Sequence, residues 1–206
     1  MRLNQSSVTQ LFLAAMLCSQ LAACVPVVVG GAAAGGVMAA DRRTSGIYIE
    51  DQGIEIKAEK AMMEQIGDNI HANVTSFNRN VLVTGEAFNE ESKAKAESIA
   101  KSIENVRSVT NEVVVAAKSS LGGRSNDTFI TSKVKANMVK ENRFPANYVK
   151  VVTENSVVYL MGLVTHQEAD DAVDIARNVD GVEKVVKVFE YIDEATANKT
   201  SSEPTK

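Results

Sequence analysis

Apolar and polar positions follow two alternating periods along this chain, and the succession of periods occurs twice. From Gly53 to about Gly67, Ile54, Ala58, Ala61, Met62 and Ile66 recur at helical spacing. Ala72, Val74 and Ser76 then alternate with Asn73, Thr75 and Phe77, which predicts a strand. Asn78-Arg79-Asn80 is a tight connection to a return strand over Val81–Ala87. Asn89 can cap a second helix whose apolar stripe is Ala96, Ile99, Ala100 and Ile103. A valine-rich closing strand follows from Val109 to Ala116.

The order is repeated further on. A helix is predicted from Asp127 to about Glu141, ended by Phe144-Pro145. Val149–Thr153 and Val157–Val164 form a hairpin around Glu154-Asn155-Ser156. Thr165 and Glu168 make a capping box for a helix through Ala169, Ala172, Val173 and Ala176 to about Val179. Gly181 is read as its C′ residue, and Val182–Ile192 as the last strand. Val81–Ala87 aligns with Val158–Val164 at an offset of 77, and Ala96, Ala100, Ile103 and Val106 align with Ala172, Ala176, Val179 and Val182 at 76. One residue is dropped in the strand-to-helix turn, where a length change is tolerated. The chain therefore holds two homologous units of the α+β class, each helix-strand-strand-helix-strand. Two helices would pack on one face of a three-stranded mixed sheet, leaving the other face for the sister unit or a partner. Units this small bury modest cores and should be marginally stable alone.

Between and around the units the pattern changes. Residues 118–125, with Gly122-Gly123 and several serines, read as a linker, and 193–206 as a polar, disordered tail. The units then span 47–117 and 126–192. Val25 to Ala40 contains four glycines and is too short to span a bilayer, so 24–46 reads as a tether.

The N-terminus sets the compartment. Arg2 precedes an apolar run containing Leu11, Phe12, Leu13 and Leu17, and the run ends at Leu21-Ala22-Ala23-Cys24. A basic start, a short apolar core and small residues before the cut define a secretory signal over 1–23. Leu-Ala-Ala-Cys resembles the lipobox of bacterial lipoproteins, which implies diacylglycerol on the Cys24 sulfur, cleavage before it and acylation of the new amino terminus. Several acyl chains would make the attachment effectively permanent. Val25 in place of an aspartate favours, by the same resemblance, export to the outer membrane.

Charge and composition then narrow the chemistry. Without the signal the chain carries 21 basic and 26 acidic residues, a net charge near −5, which argues against general nucleic-acid binding. Cys18 leaves with the signal and Cys24 is acylated, so no disulfide or thiolate metal site is expected. His71 and His166 occupy non-equivalent positions, at a strand start and a first helical turn, and read as surface or capping-region residues. No nucleophile triad, metal-ligand spacing or phosphate loop is present in the sequence, so neither enzyme activity nor a cofactor or metal is expected.

Against that acidic background, Arg124 to Lys150 holds six basic and two acidic residues, a local charge of +4. On a helical wheel from Asp127, Ile130, Val134 and Met138 should face the core. Phe129, Lys133, Ala136 and Lys140 fall on an adjacent stripe, with Ser132 beside them. An aromatic among lysines on a solvent-facing strip suits a phospholipid headgroup interface, and a solvated basic face over a buried Phe129 is the competing reading.

Val-x-Leu-x-Gly-x-Val, a helix of alanines and Gly-Val-x-x-Val before a valine-rich strand resemble the BON domain. Val158 to Val188 carries the full pattern, whereas the first unit has Asn105 where the family glycine is expected. Two such domains behind a lipobox are similar to outer-membrane lipoproteins of the division- and outer-membrane-stress-associated lipid-binding type. Ser125–Thr131, Val152–Asn155 and Leu160–Thr165 are especially close to them. That resemblance implies binding of anionic phospholipid (phosphatidylglycerol or cardiolipin) by the second domain. It also implies residence on the periplasmic face of the outer membrane, enrichment at the division septum and support of membrane integrity. Phe129 stands where that group carries tryptophan, keeping an aromatic without the indole donor. The alternative is a non-enzymatic adaptor whose free sheet face or linker docks on envelope-assembly, division or cell-wall-remodelling proteins.

Overall fold

A computed structural model describes residues 41–202. The signal, Cys24 and the tether as far as Ala40 lie outside the described residues, as do 203–206. The first domain runs α1 (Ser45–Gln65), β1 (Ile70–Phe77), β2 (Asn80–Ala87), α2 (Glu90–Ser102), β3 (Ser108–Asn111) and β4 (Val114–Val115). The second runs α3 (Leu121–Glu141), β5 (Val149–Glu154), β6 (Val157–Val164), α4 (His166–Arg177) and β7 (Lys184–Tyr191), followed by α5 (Glu194–Ser202).

Each sheet is mixed, as the order of elements requires. β1 pairs antiparallel with β2, and β2 pairs parallel with β3 and β4. β5 and β6 are antiparallel, while β6 and β7 are parallel. Alternation along a strand sends successive side chains to opposite faces. Val81 and Val83 therefore join Ile54, Ala58 and Met62 of α1 and Ala96 and Ala100 of α2. Val158 and Leu160 join Ile130, Val134 and Met138 of α3 and Ala172 and Ala176 of α4.

The intervening residues build a third core. Phe77 and Leu82 of one sheet pack with Tyr159 and Met161 of the other, so the two sheets cover each other's second faces. Burial pushes the Tyr159 hydroxyl up to about 12, with repulsion from Glu112 and Glu154 adding to it. Polar groups close the rim. Asn73 donates to Glu154 at 2.7 Å, Asn155 to Glu86 at 2.9 Å, and Asn78 and Asn80 both to Glu190. The sheet face that the adaptor reading offered to a partner is thus occupied by the sister domain.

Two glycines explain the Val-x-Leu-x-Gly signature. A Cβ on Gly85 would run into the His71 carbonyl, and one on Gly162 into the Tyr148 carbonyl, at equivalent places in the two hairpins. The family glycine after the second helix works differently. Gly181 has φ of 97° and Asn105 has φ of 69°, so both take the left-handed conformation. Asparagine is among the residues that tolerate it, which keeps the first domain's turn intact.

Several sequence expectations are corrected. The first helix begins at Ser45, eight residues before Gly53, with Thr44 as its N-cap. Leu121–Ser125, read as linker, form the opening turns of α3, because the Ser120 hydroxyl accepts from the Gly123 amide at 3.1 Å. The tail is helical from Glu194, where the Asp193 carboxylate caps the Thr196 amide. Helix α4 ends at Arg177 with Asn178 as C-cap, so Gly181 serves the following turn. The closing strand of the first domain is split at Glu112–Val113, where Val113 turns into the core.

The end of the tether is also built into the fold. Arg42 donates to both carboxylate oxygens of Glu168 and to the Leu163 carbonyl, and lies 3.8 Å from the Tyr148 ring centre. Arg43 turns to the first domain, paired with Asp51 at 2.8 Å and stacked 3.9 Å from the Phe77 ring centre. Two successive arginines therefore reach into two different domains.

Candidate functional site

The candidate face is the outer surface of α3. Its inner stripe, Ile130, Val134 and Met138, is buried as expected, and Asp127 is buried beside it. The Asp127 carboxylate accepts from the amides of Asn155 and Ser156 in the left-handed hairpin turn. Asp51 of α1 does the same for the amides of Asn78 and Arg79. Each first helix is locked to its own hairpin by one buried carboxylate, which fixes its rotation and so decides what faces outward.

What faces outward on α3 is partly apolar. Phe129 is 59% exposed, and Ser132, Ala136 and Lys140 are exposed on the same side. Lys133 is half-buried; its Nζ lies 4.7 Å from the Phe129 ring centre and donates to the Asp180 carbonyl at 3.3 Å. The reading in which Phe129 is a core residue is therefore excluded. Two further residues belong to this face. Val139 is 67% exposed and Leu121 80% exposed, and both project from the same side as Ser132. Val139 could have been found by continuing the wheel ten residues beyond Phe129. Leu121 was hidden because its segment reads as linker.

Helix α1 supplies an internal comparison. It too carries an outward apolar row, Ile49, Ile56 and Met63. Its charge is opposite: five acidic residues and two lysines lie within Ser45–Gln65, against two acidic and four basic within Leu121–Glu141. An anionic surface would attract only α3.

The histidines do not form a site. His71 Nδ1 is 3.3 Å from Glu86 Oε2 at the domain interface, more enclosed than the surface role expected for it. His166 stacks on Tyr191 at 4.3 Å between ring centres. Burial would raise the Glu86 carboxyl, but Asn155, Ser119 and the His71 charge outweigh it and hold the group below its ordinary range. Glu154 moves the other way, because burial with repulsion from Glu86 and Asp127 outweighs its bond from Asn73. Among the described residues no group of His, Cys, Asp and Glu is arranged to hold a metal.

Comparison with known proteins matches this architecture. A BON domain model matches residues 52–117 and again 126–193. The chain belongs to the BON-domain family. It is 41% identical over 175 residues to Outer membrane lipoprotein DolP of Haemophilus influenzae, covering 84% of this chain and 91% of that protein. It is 32% identical to a 21 kDa hemolysin of Actinobacillus pleuropneumoniae, over 74% of this chain and 79% of the relative. Osmotically-inducible protein Y of Escherichia coli is 35% identical over 68% of this chain and 72% of its own length. The protein is thus a dual BON-domain outer-membrane lipoprotein, and its second BON domain carries the basic, apolar-striped helix.

Proposed function

We propose that this protein is anchored to the periplasmic face of the outer membrane by acylated Cys24 and binds anionic phospholipid through the outer face of α3. Phe129, Ser132, Lys133, Ala136 and Lys140 form that face, extended by Val139 and Leu121. The observation that carries the reading is the exposure of Phe129, Val139 and Leu121 on the one first helix with a positive charge balance. Lysines near an anionic surface contribute about 1 kcal/mol each, and burying an exposed large apolar side chain adds about 1.5–3 kcal/mol. The sum gives a weak binder, which suffices where an acyl anchor already holds the domain beside lipid. Enrichment at the division septum and support of membrane integrity are the cellular consequences we attach to this binding. The role is one of binding, with no catalytic step assigned.

The test is vesicle flotation of the chain from residue 24 with Cys24→Ala. Binding to phosphatidylglycerol or cardiolipin vesicles but not to phosphatidylcholine vesicles is expected, and Lys133→Glu with Lys140→Glu should abolish it. Flotation that survives both changes would remove this helix as the site. The adaptor reading has lost its sheet face to the sister domain and most of its linker to α3.

A further inference from the structure

The flank of α3 that turns toward the first domain borders a groove made of two adjoining cavities of about 460 and 600 Å³. They lie along the edge strands, with β5 as a common floor: Val149 and Lys150 line the first, and Val151 to Glu154 the second. Lys135 lines both, so it stands at the waist. The first chamber is walled by Tyr48, Phe77, Val139 and Val149. Its other charges are two cations held by three carboxylates, Lys150 by Glu55 at 2.7 Å and Arg43 by Asp51 at 2.8 Å and Asp41 at 2.6 Å. The second chamber is polar: hydroxyls of Thr128, Thr131 and Thr153 line it beside Asn73 and the carboxylates of Asp127 and Glu154, which already accept from Asn155, Ser156 and Asn73, with Arg124 at its edge. Lys135 is exposed and has no ion-pair partner among the described residues.

A chamber with an apolar wall, a lysine without an ion-pair partner and a polar chamber bearing hydroxyl and amide groups, in that order, match the parts of one amphiphile. Each chamber lies within the size range of ligand pockets. Asp41, the first described residue, lines the apolar chamber. The polar chamber has no Phe, Tyr or Trp in its lining, so it lacks the cage that recognises a quaternary ammonium. Its donors and acceptors suit a headgroup bearing hydroxyls.

We propose that this groove binds a single phospholipid molecule drawn from the bilayer, with an acyl chain against Phe77 and Val139, the phosphate at Lys135, and a hydroxylated headgroup against Thr128, Thr131 and Thr153. The proposal rests on the phospholipid reading of α3 and adds to it a one-molecule site. Flotation reports the outer face; the groove is read with monomeric lipid, so the two can fail separately. The experiment is a titration of the same Cys24→Ala chain with six-carbon phosphatidylglycerol below its micellar concentration, followed by amide NMR. Saturable one-to-one binding is expected, with shifts at Ser76, Val149, Lys150 and Thr153. Lys135→Glu should weaken it at least tenfold and Lys135→Gln by less, while the amide spectrum of both stays that of the folded chain. Equal binding of glycerol phosphate, which has no chain, would overturn the proposal, as would equal binding of six-carbon phosphatidylcholine. Shifts confined to Phe129, Ala136 and Lys140, or shifts that do not saturate, would overturn it too.

Discussion

Removing Arg42 is the most direct probe of how the tether's end is held. Its side chain is 4% exposed and that of Glu168 is 17% exposed, so the pair lies mostly out of water. The change to alanine removes two charge-assisted bonds to Glu168, at 2.6 and 2.8 Å, and one at 2.8 Å to the Leu163 carbonyl. It also removes the guanidinium over Tyr148. Losing one partner of a buried pair costs about 3–5 kcal/mol. Glu168 keeps the Thr165 amide at 2.8 Å, which puts Arg42→Ala near the lower end, about 3 kcal/mol. For a chain of this size that is a fall of about 6–12 °C in Tm. Arg42→Met, which keeps the packed stem, should cost less.

The pH dependence carries a second signature of the same contact. Burial would raise Glu168, but the bonds from Arg42 and Thr165 outweigh it, so its folded pKa lies below the ordinary glutamate value. A lowered folded pKa gives stability that is present above the unfolded pKa and is lost as pH falls through the folded one. The penalty of Arg42→Ala should therefore be full at pH 7 and shrink on acidification below the ordinary glutamate range. Urea denaturation at several pH values measures both. A loss below about 1 kcal/mol at pH 7, unchanged in acid, would refute the assignment of this pair as a structural clasp.

Three other outcomes are expected. Gly162→Val should destabilise by at least about 1–3 kcal/mol, since its Cβ meets the Tyr148 backbone carbonyl, whereas a change at Gly53, with open space around it, should be far milder by thermal melting. Glu154→Gln should stabilise at neutral pH. Its raised folded pKa means the charged form is penalised, so the gain should fade as pH drops through that pKa and the wild-type group takes up its proton, a trend visible in melting curves across pH 4–8. Phe129→Ala should weaken flotation on phosphatidylglycerol vesicles roughly five- to thirtyfold, the equivalent of about 1–2 kcal/mol for a residue that is 59% exposed.

Periodicity carried most of the fold in the sequence. The inner stripe Ile130, Val134 and Met138, the capping box at Thr165 and both hairpins follow from local spacing and turn chemistry, and the structure has them. What was hidden depends on partners distant in sequence. Arg42 and Arg43 look like the polar end of a tether until Glu168, 126 residues away, and Asp51 supply their anions. Gly122-Gly123 suggest a flexible link, yet the Ser120 cap and the helix beyond it draw them into α3. Phe129 could be assigned to an apolar or exposed surface only once Asp127 fixed the rotation of its helix. Lys135 had no distinguishing sequence context, because the groove it borders is made by the meeting of the two domains.

The core formed by Phe77, Leu82, Tyr159 and Met161 belongs to neither domain alone. A half-molecule severed near Ser119 would bare a greasy plate on its sheet, cut off from the one surface shaped to cover it. Each fragment should therefore self-associate or precipitate, and the duplication is a permanent marriage rather than a spare part.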